Sequence, residues 1–249
     1  MSITVSFQDD IFSLDKLALP TRYYYFNDVE NYVKLLSIGE GIFPKDKIRT
    51  QISLENSNAI VTTESATKIY PSQKEFGINS INITLQNSNL EFINDELILF
   101  KDAKLLQLLK IKADEKSTFF YGDILSHGRS YENFDFTVMS AKNSFYCDNT
   151  LEYLEKYDLS GDGLKSYIKD NDSPNNIFAK IYIKTNNNEQ FFDILQENSN
   201  QSFSYTSKKK MIIGVISANN MSTLKKQILS IWALYRINLE KKEFSLGKQ

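Results

Sequence analysis

Apolar residues recur at every second position through much of the first two thirds of the chain. Ile3, Val5 and Phe7 alternate with polar residues. So do Ile48, Thr50, Ile52 and Leu54, then Ile81, Ile83 and Leu85, then Phe134, Phe136 and Val138, then Ala179, Ile181 and Ile183. Successive side chains of an extended strand point to opposite faces, so this spacing gives each run one apolar face. Turn formers separate the runs: Glu55-Asn-Ser-Asn, Gln86-Asn-Ser-Asn, Ser160-Gly-Asp-Gly and Asp170-Asn-Asp-Ser-Pro,. Many short strands without long helices between them predict a mainly β fold of stacked antiparallel sheets, sandwich-like, and disfavour a parallel α/β sheet. Two helices are predicted near the C-terminus. One covers Glu189 to Gln196. The other runs from Ser222 to Leu239, where Leu224, Ile228, Ile231, Trp232, Tyr235 and Leu239 recur at helical spacing and Asn220 or Ser222 can cap,. Lys241 to Gln249 reads as a frayed tail. With no linker and no repeat visible, residues 1–249 are expected to form a single domain, a β body over 1–185 and a helix-containing C-terminal region over 186–249.

Composition removes several functions. The formal net charge is -2, so the basic footprint of a nucleic-acid binder is absent,. No run of about 18 apolar residues occurs, so no membrane span is expected. The first residues lack a basic segment followed by an apolar one, so no signal peptide is expected and the cytoplasm is the expected location. Cys147 is the single cysteine and cannot form an internal disulfide; His127 is the single histidine, which excludes a zinc site needing several such ligands,. The sequence has no G-x-x-x-x-G-K-S/T phosphate loop, no G-x-G-x-x-G and no G-x-S-x-G elbow. Asp158-Leu-Ser-Gly-Asp-Gly matches the first half of a calcium loop. The twelfth position is Lys169, a cation where a carboxylate is required, so a turn is expected there,.

Two stretches concentrate polar chemistry. Thr62, Thr63, Glu64 and Ser65 end an apolar run, where they either satisfy backbone groups or line a polar groove. Glu64 and Lys68 would stack only on a helix. Asp123 lies inside a strand-like run, where an unpaired carboxylate is costly to bury. Arg129 is one of only four arginines. The two could form a buried structural pair. Alternatively Asp123 lines a cavity whose oxygen ligands suit transient coordination of a borderline divalent ion such as Ni²⁺. On the last helix, Trp232 and Tyr235 belong to the stripe that normally faces a core, although both residue types also mark interfaces.

These residues also form a recognisable series. Thr62-Thr-Glu-Ser-Ala-Thr-Lys-Ile-Tyr is followed by Leu90-Glu-Phe and Asp123-Ile-Leu-Ser-His-Gly-Arg. Gly41-Ile-Phe-Pro-Lys-Asp precedes them and Ile231-Trp-Ala-Leu-Tyr-Arg closes the series. In this order, from about residue 39 to 236, the chain resembles the UreD/UreH family of urease accessory proteins. Lys45, Asn94 and Phe134 depart from the family pattern. The resemblance implies a non-enzymatic, mainly β scaffold. It implies a UreF-like helical accessory protein as partner, a UreG-like GTPase recruited through it, apo-urease as the recipient, and a dimer of heterodimers with UreF. It implies Ni²⁺ in transit and no permanently bound cofactor. On this reading Thr62, Thr63, Glu64, Ser65 and Asp123 line the ion path. Lys68, Tyr70, Gly128 and Arg129 are structural motif residues, and Trp232, Tyr235 and Arg236 are candidate partner contacts. Neither nucleic acid nor membrane is an expected partner. Two other classes stay open: a carbohydrate- or peptide-binding module using some of the 14 tyrosines without any nickel role,, and a hydrolase pairing Asp123 with Glu64.

Overall fold

The alternating runs form strands, and the turns between them decide how the strands associate. A computed structural model describes residues 2–129, 131–199 and 201–247. In chain order its strands are β1 (Ser2–Gln8), β2 (Ile11–Ala18), β3 (Thr21–Phe26), β4 (Tyr32–Ser37), β5 (Lys47–Glu55), β6 (Asn58–Thr63), β7 (Thr67–Ile69), β8 (Gly77–Gln86), β9 (Asn89–Leu99), β10 (Lys104–Ala113), β11 (Thr118–Ser126), β12 (Val138–Cys147), β13 (Thr150–Leu159), β14 (Ile177–Lys184), β15 (Ser202–Tyr205) and β16 (Ile212–Ala218). The helices are α1 (Gly161–Asp170), α2 (Asn188–Asn198) and α3 (Met221–Asn238). One sheet has the order β13-β12-β10-β8-β5-β1-β2. The second has the order β15-β16-β14-β11-β9-β6-β4-β3, with β7 beside β9.

The protein is mainly β with stacked sheets, as the alternation predicts, but the sheets are mixed rather than antiparallel. β5 leads into β6, β8 into β9 and β10 into β11, each turn carrying the chain from the first sheet into the second. Successive arches then stack, so β5, β8 and β10 are parallel neighbours, as are β6, β9 and β11. A parallel pair needs a crossover, usually a helix. Here the strand in the opposite sheet serves as the crossover, which is why the scarcity of helices did not exclude parallel pairing. Antiparallel ladders remain at β1–β2, β12–β13, β3–β4 and around β14 and β16.

The turns stack too. Asn87 Nδ2 donates to Asn56 Oδ1 at 2.9 Å, Ser57 N to Ser88 Oγ at 3.1 Å, and Ser88 N to Ser117 Oγ at 3.1 Å. Asn56 and Asn87 have φ of 49° and 47°, a conformation Asn tolerates better than most residues,. The two Asn-Ser-Asn clusters are therefore corresponding turns of a structural repeat that the sequence reading did not detect.

Two apolar clusters fill the space between the sheets. One contains Phe7, Ile52, Ile83, Phe92, Ile111, Phe119 and Phe145. The other contains Ile42, Ile69, Leu99, Leu105, Phe134 and Met139. A third cluster lies on the other face of the second sheet, where Phe120, Ile181 and Ile212 meet Leu195, Leu224, Ile228 and Trp232 of the helices. Each such side chain, fully buried, contributes about 1.5–3 kcal/mol. Asn220 caps α3, accepting from Thr223 N at 2.8 Å, and Asn187 caps α2.

α1 is a helix where a turn was expected. Ser160 Oγ accepts from Gly163 N at 3.0 Å, and Lys169 lies in the last turn, where the helix dipole favours a cation,. The tail is not frayed over its described part. The Tyr32 hydroxyl donates to Leu246 O at 2.7 Å and Phe244 packs on the Tyr32 ring. Lys248 and Gln249 lie outside the described residues. No helix among the described residues is long and apolar enough to cross a membrane.

Candidate functional site

On four strands the positions that face the opposite sheet change from apolar to polar at one shared layer. Along β11 they run Phe119, Tyr121, Asp123, Leu125. Along β10 they run Leu109, Gln107, Leu105; along β12, Phe145, Asn143, Ala141; along β14, Tyr182, Lys180, Phe178. Each strand thus passes from one inter-sheet cluster to the other through a polar residue. These polar residues line a cavity of about 100 Å³, together with Asn79, Asn94, Asp95 and Tyr157.

Asp123 sits at an irregularity in the β9–β11 ladder. Gly122 pairs with Ile93 and Ile124 with Glu96, so Asn94 and Asp95 together oppose Asp123. Such bulges re-aim side chains. Asn94 Nδ2 donates to Asp123 Oδ1 at 2.7 Å, Gln107 Nε2 to Oδ2 at 2.8 Å, and the Tyr121 hydroxyl lies 2.9 Å from Oδ1. Burial pushes the Asp123 carboxyl up to about 6, and the negative charge of Glu155 adds to the rise. The bonds from Tyr121, Asn94 and Gln107 act the other way without cancelling it,. The expected Asp123–Arg129 pair does not form. Arg129 instead grips Glu132, through Nε at 2.9 Å and Nη2 at 2.5 Å, because the loop after β11 turns back on itself.

Glu155, on β13, bonds to residues that line this cavity. It accepts from Asn143 Nδ2 at 2.7 Å, Lys180 Nζ at 2.9 Å, the Tyr153 hydroxyl at 3.1 Å and the Tyr182 hydroxyl. Burial alone would raise its pKa, but the bonds from Lys180, Tyr182 and Asn143 outweigh it and hold the carboxyl below its ordinary value.

A groove of about 1290 Å³ lies between α3, the end of β6 and the C-terminal segment. Glu64 and Ser65 line it, and it shares Asn94, Asp95 and Ile124 with the cavity. Lys34 pairs with Glu64 at 3.0 Å, and Lys225 bridges Asp95 at 3.2 Å and Glu96 at 2.8 Å. Thr62 is buried and donates to Ile93 O at 2.6 Å, while Thr63 Oγ1 accepts from Asp95 N at 2.7 Å. Those two threonines therefore brace the shared wall, and Glu64 and Ser65 face the groove. Glu64 and Asp123 open onto different hollows, which does not match the paired carboxylates of a glycosidase.

The remaining motif residues build two other constructions. Tyr70 stacks on Phe43 at 4.2 Å and meets Phe100 edge-on, and the Arg129 guanidinium covers Phe100 at 4.3 Å. Gly128 has φ of 120°, and a Cβ there would come within 2.7 Å of Glu132 Cβ,. Lys68 is exposed, and its carbonyl accepts from Ile42 N at 2.8 Å. Trp232, Tyr235 and Arg236 are buried, and of the three Trp232 and Arg236 border the groove. Trp232 Nε1 and Arg236 Nη1 donate to Glu91 Oε2 at 2.5 and 2.7 Å, Lys241 reaches Glu91 Oε1 at 2.8 Å, and Arg236 also pairs with Glu30. The Leu90-Glu-Phe and Ile231–Arg236 motifs are thus two halves of one buried clamp.

Among the described residues no group of three His, Cys, Asp or Glu side chains could hold a metal ion together. Cys147 is buried and its thiol is pushed up to about 11, mainly by that burial, so it is a poor nucleophile and ligand. The sequence reading missed Gln107, Asn143, Glu155 and Lys180. A signal did exist for the first two: each is a polar residue at an inward-facing position between apolar ones.

Fold and site together define a β-arch protein with a polar cavity that shares a wall with a surface groove. Comparison with known proteins then places it. A sequence model of the UreD urease accessory protein family matches residues 19–246. The urease accessory protein UreD of Aliarcobacter butzleri (strain RM4018) is 64% identical over 250 residues, spanning 100% of both chains. UreD of Staphylococcus epidermidis (strain ATCC 12228 / FDA PCI 1200) is 33% identical over 132 residues, 51% of this chain and 48% of that protein. UreD 2 of Brucella ovis (strain ATCC 25840 / 63/290 / NCTC 10512) is 32% identical over 132 residues, 50% of this chain and 44% of that protein. The chain belongs to the UreD family of urease accessory proteins.

Proposed function

We propose that this chain acts in urease maturation as a non-catalytic scaffold that helps deliver Ni²⁺ to apo-urease, with the groove and the cavity as one continuous route. The observation that carries this reading is the wall they share. Asn94 and Asp95 border both the hollow lined by Glu64 and Ser65 and the hollow lined by Asp123. Oxygen ligands offered singly suit an ion that must move on, because a site with several converging strong donors would retain it. A protein-enclosed route also keeps the ion from competing ligands.

The other parts of the reading follow the family. The sequence has no phosphate loop, so nucleotide chemistry falls to a UreG-like GTPase recruited through a UreF-like helical protein. The assembly would be a dimer of heterodimers with UreF, working in the cytoplasm with no permanently bound cofactor. Asp123→Leu tests the route. Urease activation should be lost in a co-expression assay while the variant still co-purifies with the UreF-like protein and apo-urease. Normal activation with the assembly intact would remove Asp123 from the route.

A further inference from the structure

Lysines lie against the carboxylates from groove to cavity: Lys34 on Glu64, Lys225 on Asp95 and Glu96, and Lys180 on Glu155. Asp123 differs, its carboxyl taking hydrogen bonds from Asn94, Gln107 and Tyr121. The placement of Lys180 makes this difference informative. In the β11–β14 ladder Lys180 stands directly opposite Asp123. Their side chains therefore leave the sheet on the same face, with Cβ atoms about 5 Å apart. The Lys180 ammonium nevertheless turns to Glu155 on the other sheet, at 2.9 Å, and lies 4.2 Å from the Tyr157 ring centre.

Gln107 adds an independent observation. It is 5% exposed, lines the cavity and gives its amide nitrogen to Asp123, yet its Oε1 has no hydrogen-bond partner. A buried acceptor left unanswered beside a carboxyl calls for something that donates or carries positive charge. The cavity thus offers the Asp123 carboxyl and an open amide oxygen, Glu155 is bonded to three residues of its lining, and the Lys180 ammonium already borders it, so a divalent cation there would meet oxygen donors and one like charge.

We propose that Lys180 is a tethered counter-ion that occupies the cation position at Glu155 and so keeps a divalent cation beside Asp123 and Gln107 from being held tightly. The proposal rests on the ion route described above and adds what sets the dwell time on it. An arriving cation meets a like charge, and it reaches Glu155 only when the ammonium moves off. Lys180 is 32% exposed, so its head group can withdraw towards solvent. Without Lys180 the same donors would converge on the ion, and a passage would become a trap.

The test is titration calorimetry of the purified full-length chain with Ni²⁺ alone, with folding checked by circular dichroism. Lys180→Met should bind Ni²⁺ about tenfold more tightly than the unaltered chain, or better, since a like charge within a few ångströms is gone. Lys180→Arg should match the unaltered chain. If the Met variant does not fold, Lys180→Gln takes its place, because it retains a donor for Glu155. The double variant Glu155→Gln/Lys180→Met should fall back to the affinity of the unaltered chain. A neutral residue at 180 that leaves affinity unchanged would overturn the proposal, as would a double variant that binds as tightly as the single one. Urease activation separates this inference from the reading beneath it. Tight Ni²⁺ binding by Lys180→Met with undiminished activation supports the counter-ion and takes the cavity off the route. Loss of activation in Asp123→Leu with unchanged affinity in Lys180→Met keeps the route and overturns the counter-ion.

Discussion

Two regions of this molecule bury charge, and they do so in opposite ways. At the clamp under α3, Glu91 is fully buried and every charge is answered. Its two oxygens receive Arg236, Lys241 and Trp232, and Arg236 also takes Glu30. In the layer between the sheets Asp123 is held by amides and a hydroxyl, its pKa rises to about 6, and an amide oxygen beside it has no partner. A saturated network resists change, since removing any member strands the others. An under-paired one has capacity left for a ligand, and perturbed carboxyls in a hollow are where function is sought.

The comparison can be broken most severely at Glu91. Glu91→Ala should destabilise the protein by about 3–5 kcal/mol in urea denaturation, because Arg236 and Lys241 would keep buried charge without a counter-ion. A loss below about 1 kcal/mol would mean that the clamp is not the anchor of α3.

Asp123→Asn should act in the opposite direction at neutral pH. An acid whose folded pKa lies above its unfolded value binds more protons in the folded state between the two. Stability from this group is therefore present at low pH and falls as pH rises from about 4 to about 6,. The variant removes that slope. Its stability relative to the unaltered protein should rise by roughly 2–3 kcal/mol between pH 4 and pH 7. Urea melts at both pH values would show it, and parallel pH profiles would place Asp123 in a wetter setting.

Lys241→Met is the mildest of the three, at about 1–2 kcal/mol, because Arg236 and Trp232 still hold Glu91. An effect as large as that of Glu91→Ala would show that Lys241, and with it the C-terminal segment, is the dominant member of the clamp.

Much of this was readable from the residues. Asp123 stood out as a carboxylate within a strand run, and the apolar stripe from Leu224 to Tyr235 pointed to a core-facing helix. Gln107 and Asn143 carry the same parity signal, each a polar residue between inward-facing apolar ones. Glu155 and Lys180 were harder. The apolar face of β14, with Ile177, Ala179, Ile181 and Ile183, packs under the helices, so its polar face looked like a solvent face when it faces the other sheet. The partner of Arg129 was not legible, because sequence proximity to Asp123 says nothing about which residue comes to face the guanidinium in the fold.

By itself, then, the sequence determined where strands and helices lie and which face of each is apolar, because side-chain periodicity and capping are local properties of the backbone. It also carried the family motifs. Only the tertiary structure decided that Asn-Ser turns send the chain across to the other sheet, that neighbouring arches run parallel, and that Asp123 faces Gln107 and Glu155. Alternation reports that a residue is turned inward, but the residue it meets there depends on the register and direction of strands far apart in the chain.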